Sequence, residues 1–139
     1  MEDYSVIIDC NNELYKINKR LEKENNQHIK FFIIGDGEMM NDLQAYCKDL
    51  NLEFDLPLAK EFKTNIVFTS WIKEIDNALA GLDIIALTSK NEGTPVSLIE
   101  AQAANKPIIT TDVGGIKDIT IENETAFLCP QNNLNFFAK

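Results

Sequence analysis

Leu82-Asp83-Ile84-Ile85-Ala86-Leu87-Thr88-Ser89-Lys90-Asn91-Glu92-Gly93-Thr94-Pro95-Val96-Ser97-Leu98-Ile99-Glu100 opens on a short apolar, β-branched run, passes through a polar loop punctuated by glycine, and continues apolar around most of a helical turn. The run over 83–87 reads as a buried strand. Thr94 suits a helix N-cap and Pro95 a first helical position, so a helix is predicted over 95–104, with little polar surface and hence largely buried. Working outward, the same alternation recurs. Ile66-Val67-Phe68 is a strand and 74–80 a short helix; beyond Glu100 come a strand over 107–111, a helical piece over 116–121 and a strand over 125–129. Upstream, Lys30-Phe31-Phe32-Ile33-Ile34 is a strand buried on both faces that stops at Gly35-Asp36-Gly37, and Met39 or Met40, Leu43, Cys47 and Leu50 follow at helical spacing.

Two segments at the beginning and middle are less regular. Residues 51–64 have no clean period and contain Pro57, which predicts a long surface connection. Ile7, Cys10, Leu14, Ile17 and Leu21 stand at steps of three and four, which predicts an amphipathic helix over 4–25 opening the chain. Residues 132–139 look like a cap and first helical turn that stops with the chain, so the pattern looks truncated at both ends. Short strands alternating with short helices make βαβ units with right-handed crossovers. The expected fold class is α/β: a Rossmann-like, doubly wound parallel sheet, in one partial domain over 1–139.

Composition narrows the function. At 139 residues, 45% hydrophobic and 25% charged, the chain is one ordinary globular domain. Thirteen Lys plus Arg against twenty-two Asp plus Glu give a net charge of -9, which repels phosphate backbones and disfavours nucleic acid. No apolar run approaches the roughly 20 residues of a membrane helix and residues 1–10 do not read as a signal peptide, so a soluble, cytoplasmic chain is expected. Cys10, Cys47 and Cys129 are odd in number and widely spaced, and His28 is the sole histidine, so neither a thiolate zinc site nor a histidine triad is indicated. There is no Asp-x-Asp pair and no Walker pattern. No metal and no cofactor are expected.

In open parallel sheets ligands bind beyond the carboxyl ends of the strands, which selects the loops at 35–38, 69–73, 88–96 and 112–117. Gly93 permits close backbone approach or a left-handed turn, and the free N–H groups of Val96 and Ser97 at a helix start are a natural seat for a phosphate. A plain well-capped helix is the competing reading. Glu100 shares a helix face with Ser97, and in a buried helix its carboxylate needs donors, either hydroxyls of a sugar or ribose or a lysine. Gly35-Asp36-Gly37 lacks a third glycine and Asp36 reads equally well as a helix cap. Asp112-Val113-Gly114-Gly115-Ile116-Lys117 reads as a tight turn or a ligand cradle.

Ile33-Ile34-Gly35-Asp36-Gly37, Asn65-Ile66-Val67-Phe68, Leu82 through Ser89, Asn91 through Glu100, Ala101 through Pro107 and Thr111-Asp112-Val113-Gly114-Gly115-Ile116 together resemble the nucleotide-sugar-binding, C-terminal half of retaining glycosyltransferases with the GT-B fold, in particular the large family four. The resemblance covers about residues 30–130, and its most specific element is the E-x7-E motif from Glu92 to Glu100. It implies transfer of a hexose from a nucleoside-diphosphate sugar to a glycan or glycolipid with retention of configuration, in surface polysaccharide or glycoconjugate synthesis. Glu92 would be the catalytic residue, at the transferred sugar. Glu100 would bind the ribose, Gly93, Thr94, Val96 and Ser97 the sugar and diphosphate, Gly35 and Gly37 would border the site, and Ser70 and Trp71 would meet the base. A packed aromatic is the plainer reading of Trp71.

The chain also departs from that family. The strand before the opening helix and the Arg and Lys that clamp the diphosphate have no counterpart in Met1-Glu2-Asp3, and the N-terminal acceptor-binding domain is missing, so the fragment is expected to be inactive alone. Asn105 stands where the family has Gly, as does Ala126, and Thr88 stands where Pro is common. The implied partners are a nucleotide sugar and the missing domain, with peripheral membrane association of the full-length enzyme if the acceptor is lipid-linked. A GT-B nucleotide-sugar epimerase and a non-catalytic nucleotide-sugar-binding module are the alternative readings.

Overall fold

The structure, a computed structural model, describes the backbone of residues 4–7 and, in full, residues 28–36 and 40–131. Seven strands, β1 (Tyr4–Ile7), β2 (Ile29–Ile34), β3 (Phe54–Asp55), β4 (Ile66–Ser70), β5 (Ile84–Leu87), β6 (Ile108–Thr111) and β7 (Phe127–Cys129), form one sheet in the order β3-β4-β2-β1-β5-β6-β7. Every neighbouring pair is parallel. The described helices are α1 (Met40–Asp49), α2 (Ile75–Ala80), α3 (Val96–Ala103) and α4 (Ile116–Ile119). This is the doubly wound α/β layer expected from the alternation. None of the described helices is long and apolar enough to cross a membrane.

One expectation is overturned at the start of the chain. Tyr4–Ile7 is not the first turn of a helix but the central strand, paired with β2 from Tyr4↔Ile29 to Ile7↔Phe32 and with β5 through Val6↔Ile84 and Ile7↔Ile85. The strand thought to be missing is therefore present. Val6 and Ile7 favour a pleated, buried surface, and placement between two strands satisfies backbone groups that β2 and β5 would otherwise leave open. A three-and-four spacing that includes Ile7 could not show this, because a single apolar position fits both periods. The helix expected over the remainder of 4–25, Gly37 and residues 132–139 lie outside the described residues.

The sheet separates two cores. On one face Phe31, Ile33, Ile66 and Phe68 pack with Cys47 of α1 and with Leu52. On the other, Ile85, Leu87, Ile108 and Leu128 pack against Leu79, Leu98, Ala101 and Ile116 from α2, α3 and α4. Right-handed crossovers require this division, since the chain moves outward from β1 in one direction and, after β4, in the other. The two-residue strand β3 was missed within the long connection, being too short to show a period; it forms the edge beside β4. β2 is not buried on both faces: Phe31 and Ile33 are buried, whereas Phe32 and Ile34 are half-buried.

Local chain chemistry ends two of the helices. Asn51 and Asn105 have φ of 56° and 54°, the left-handed region. Leu52 N donates to Cys47 O (2.8 Å) and Asn51 N to Lys48 O (3.0 Å), while Lys106 N donates to Ala101 O (2.9 Å) and Asn105 N to Gln102 O (2.9 Å). Both ends are Schellman motifs with asparagine at the position glycine usually takes. Beyond β3, the carboxylate of Asp55 accepts from Thr64 N (2.8 Å) and Thr64 Oγ1 (3.1 Å), closing the base of the connection. Lys30 Nζ donates to the carbonyls of Phe62 (3.0 Å) and Thr64 (3.1 Å).

Two stability measurements follow from these ties. Asn105→Ala, which forces a β-carbon-bearing residue without asparagine's tolerance into the left-handed region, is expected to lower the unfolding free energy in urea by about 1 kcal/mol, with Asn105→Gly near neutral. The backbone N–H of Thr64 beside Asp55 holds its carboxyl below the ordinary 3.8. A depressed folded value contributes stability that is present above the unfolded value and lost as pH falls through the folded one. The stability gap between wild type and Asp55→Asn should therefore close as pH drops below 3.8.

Candidate functional site

Because all seven strands run the same way, the loops after β2, β4, β5 and β6 leave one edge of the sheet. The winding direction reverses between β1 and β5, and a crevice outside the strand ends at that reversal is where parallel sheets bind ligands. The loop after β5 carries Glu92. Its Oε1 accepts a hydrogen bond from Ser89 Oγ at 2.5 Å. Glu92 and Ser97 line a cavity of about 280 Å³ whose other walls are the apolar side chains of Ile34, Ile75, Leu79, Ile85, Ala86 and Leu87. A carboxylate and a hydroxyl thus face an otherwise apolar hollow between α2 and α3.

α3 starts one residue later than expected. Pro95, not Thr94, is the N-cap, with φ -72° and ψ 109°, and no side chain caps the helix. Proline has neither a side-chain acceptor nor an N–H, so the first amides of α3 keep the unsatisfied donors of a helix terminus. The helix is also far less buried than its composition implied. Leu98 and Ala101 are buried, but Val96 is 64% exposed and Ile99 44%. Glu100 is half-exposed, and among the described residues its carboxylate has no hydrogen-bond or ion-pair partner. The inference that Glu100 is a buried carboxylate in need of donors therefore fails, and so does the competing lysine pair among the described residues. Neighbours in space, not the residue types of the helix, set its burial.

The paired glycines of the β6–α4 loop are neither just a tight turn nor an open cradle. A β-carbon on Gly114, whose φ is +53°, would stand 1.7 Å from the carbonyl oxygen of Glu92, and one on Gly115 would stand 2.5 Å from that of Gly93. Gly115 N donates to both carbonyls, at 3.3 and 3.1 Å. These glycines exist so that one loop's backbone can lie on the other's. Gly93 itself is unlike the expectation: its φ is outside the left-handed region and a β-carbon there would meet nothing within 4 Å. Lys117 Nζ pairs with Asp112 Oδ2 at 2.6 Å across the glycine turn, and that carboxylate holds the ammonium above its ordinary 10.5.

At the ends of β2 and β4 a second group forms. Gly35, with φ of +140°, donates its N–H to Ser70 O at 3.1 Å, and Ser70 Oγ donates to Asp36 Oδ2 at 3.2 Å. Asp36 is thus held by the neighbouring loop, while the residues between it and Met40, on which its reading as a helix cap depends, lie outside the described residues. Ser70 has φ of +60°, a costly conformation for a residue with a β-carbon, next to an irregularity in the β2–β4 register at Ile33/Ile34. The next residue, Trp71, is 72% exposed, so it is not a packed core aromatic. Gly35, Ser70 and Trp71 lie on the same edge of the sheet as Glu92, Gly93, Thr94 and Ser97.

A family model described as glycosyl transferases group 1 matches residues 12–139. The chain belongs to this family. Over 109 residues this group 1 glycosyltransferase chain is 34% identical to an Escherichia coli UDP-Gal:alpha-D-GlcNAc-diphosphoundecaprenol alpha-1,3-galactosyltransferase, a match covering 77% of this chain and 25% of the relative. It therefore spans about a quarter of that relative's length. Its fold is shared with Anabaena Alr3699/HepE in complex with UDP-glucose (TM-score 0.70, 19% identity, 98% of this chain and 37% of the other). It is shared as well with the C-terminal domain of a Francisella tularensis glycosyl transferase group 1 family protein, LpcC (TM-score 0.71, 19% identity, 99% of this chain and 73% of the other). The Rossmann-like layer is one half of a GT-B fold.

The two glycine positions make opposite predictions. Gly114→Ala puts a methyl group inside the Glu92 carbonyl and should destabilise the chain by more than about 2 kcal/mol, seen as a lowered urea midpoint. Gly93→Ala should leave the midpoint within about 0.5 kcal/mol of wild type.

Proposed function

We propose that residues 1–139 form the donor-binding domain of a retaining hexosyltransferase of the family-four kind, which takes its sugar from a nucleoside diphosphate. The observation that carries this reading is the placement of Glu92, the uncapped start of α3 and the exposed Trp71 along one edge of a parallel sheet at its winding reversal. The ends of β4 and β5 are three strand spacings apart, about 14 Å at about 4.8 Å each. That span suits a ligand with an aromatic base at one end and a sugar at the other.

In this reading the diphosphate sits against the N–H groups of Val96 and Ser97, where backbone donors and the helix dipole favour negative charge. Charge builds on the departing diphosphate as the glycosidic bond breaks, and fixed donors that need no reorganisation stabilise it without a metal. Glu92 accepts from hydroxyls of the sugar, its orientation held by Ser89. Glu100, one helical turn beyond Val96 and Ser97 and without a protein partner among the described residues, accepts from the ribose hydroxyls. Gly93 leaves room for the sugar and Thr94 borders it, while Gly35, Gly37 and Ser70 border the base that stacks on Trp71.

The acceptor side belongs to a second, N-terminal GT-B domain, so this chain binds donor and does not turn over by itself. The residues after β1, where the resemblance puts a basic diphosphate clamp, lie outside the described residues. The Escherichia coli relative's name specifies a UDP-sugar donor and a lipid-diphosphate acceptor, and the Anabaena neighbour was solved with UDP-glucose. These support a glycan or glycolipid acceptor in surface polysaccharide or glycoconjugate synthesis. The reaction would then take place at the cytoplasmic face of a membrane.

The chain has a single tryptophan, which makes Trp71 its own reporter. Titration with UDP, GDP and ADP is expected to change its fluorescence for one of the three, and Glu100→Ala should weaken that nucleotide about tenfold, the worth of a charge-assisted hydrogen bond. Glu92→Gln should spare the nucleotide and weaken the nucleotide sugar. No binding of any of the three, by fluorescence or by ligand-observed NMR, would sink the donor-site reading.

A further inference from the structure

The loop that carries Glu92 is shaped almost entirely from outside itself. Among the described residues no backbone hydrogen bond joins two members of 88–94; instead its carbonyls are taken in turn by donors from three other elements. Thr111 Oγ1, at the end of β6, donates to Ser89 O at 2.6 Å. Gln131 Nε2, two residues past β7, donates to Lys90 O at 2.8 Å. Gly115 N, at the start of α4, donates to Glu92 O and Gly93 O. The strands and helix that supply these donors are themselves tied together, β6 to β5 and β7 by parallel pairing, and Asp112 N to Cys129 O at 2.8 Å. Carbonyls 89, 90, 92 and 93 therefore all face the β6–β7 side. The Glu92 carboxylate is met within the loop by Ser89 Oγ, and Glu92 lines the cavity.

We propose that Thr111 and Gln131 are positioning residues that clasp the 88–95 loop in the conformation presenting Glu92 to the donor sugar. The proposal rests on the donor-site reading above for the identity of the ligand. Neither residue touches the cavity, so neither is catalytic. Each acts through a loop carbonyl, and a net hydrogen bond of ordinary strength corresponds to a change of between about twofold and tenfold in the population of the held conformation. The effect should fall on the sugar, which Glu92 meets, and not on the base and diphosphate, which are held by Trp71 and α3.

The test uses the 139-residue chain with Thr111→Val, Thr111→Ser and Gln131→Leu. Hydrogen exchange reads the loop through the amide that it protects: exchange at the Gly115 N–H, which donates to Glu92 O and Gly93 O, is expected to rise several-fold in Thr111→Val and Gln131→Leu and to return toward wild type in Thr111→Ser, which keeps the hydroxyl. Calorimetric affinities for UDP-, GDP- and ADP-glucose are compared with those for the matching nucleoside diphosphates. The expected result is a loss of about fivefold for the bound nucleotide sugar, with the nucleotide changed less than about twofold. Unchanged exchange in both variants overturns the clasp. An equal loss of nucleotide and nucleotide sugar overturns the positioning role, because it marks a general structural defect. A wild type that binds none of the panel overturns the donor-site reading and the positioning role with it, whereas the exchange result then still decides whether the clasp exists.

Discussion

The pairing of β1 with β2 on one side and β5 on the other is the interaction on which the remainder depends. A parallel pair cannot be closed by a tight turn, so each neighbour must be reached by a crossover, and right-handedness sends the crossovers on the two sides of β1 to opposite faces of the sheet. Two consequences follow at once. The hydrophobic interior divides into two clusters, one under α1 and one under α2, α3 and α4. All strand ends of one polarity then collect along a single edge, with the reversal of winding between β1 and β5.

That edge is where backbone conformation is least ordinary. Ser70 at φ +60°, the last residue of β4, and Gly35 at +140° and Gly114 at +53° all lie at it, while Asn51 and Asn105 occupy left-handed positions merely to stop helices and Asn123, at 62°, precedes β7. The distinction has a physical basis. Helix ends need one reversed residue and asparagine suffices, so the cost stays local. Gly114 has no substitute, since the clash it avoids is with the main chain of Glu92. Close approach of two loops is what removes freedom from the carboxylate-bearing segment, and the Asp112–Lys117 ion pair, exposed as it is, adds little beyond closing the turn.

Burial follows neighbours more than composition. α3 looks like a core helix from its residues, yet buries only Leu98 and Ala101. β2 looks like a strand covered on both faces, yet leaves Phe32 and Ile34 half-buried beside hollows between Phe62, α2 and α3. Half-covered apolar walls with a carboxylate and a hydroxyl at their margin are the usual makeup of a small-molecule site. The same incompleteness that contradicts the composition is therefore what gives the edge a place for a ligand.

The sequence by itself determined the α/β class, the order of the elements from β2 to β7 apart from the two-residue β3, and the loops at the carboxyl edge, because period-two and period-3.6 patterns and turn residues act locally. The positions of Glu92, Thr94, Val96 and Ser97 at a strand-to-helix junction were legible for the same reason, as was asparagine at the left-handed position of residue 105. Only the tertiary structure decided that Tyr4–Ile7 is the sheet's central strand, that Glu100 is half-exposed and that Trp71 stands out from the core. It alone showed that Gly114 and Gly115 serve Glu92, and that Thr111 and Gln131 reach its loop. The β1 pairings, the glycine contacts and the Thr111 and Gln131 bonds each join residues 20 or more apart, and no local pattern records such contacts or their absence at Glu100 and Trp71.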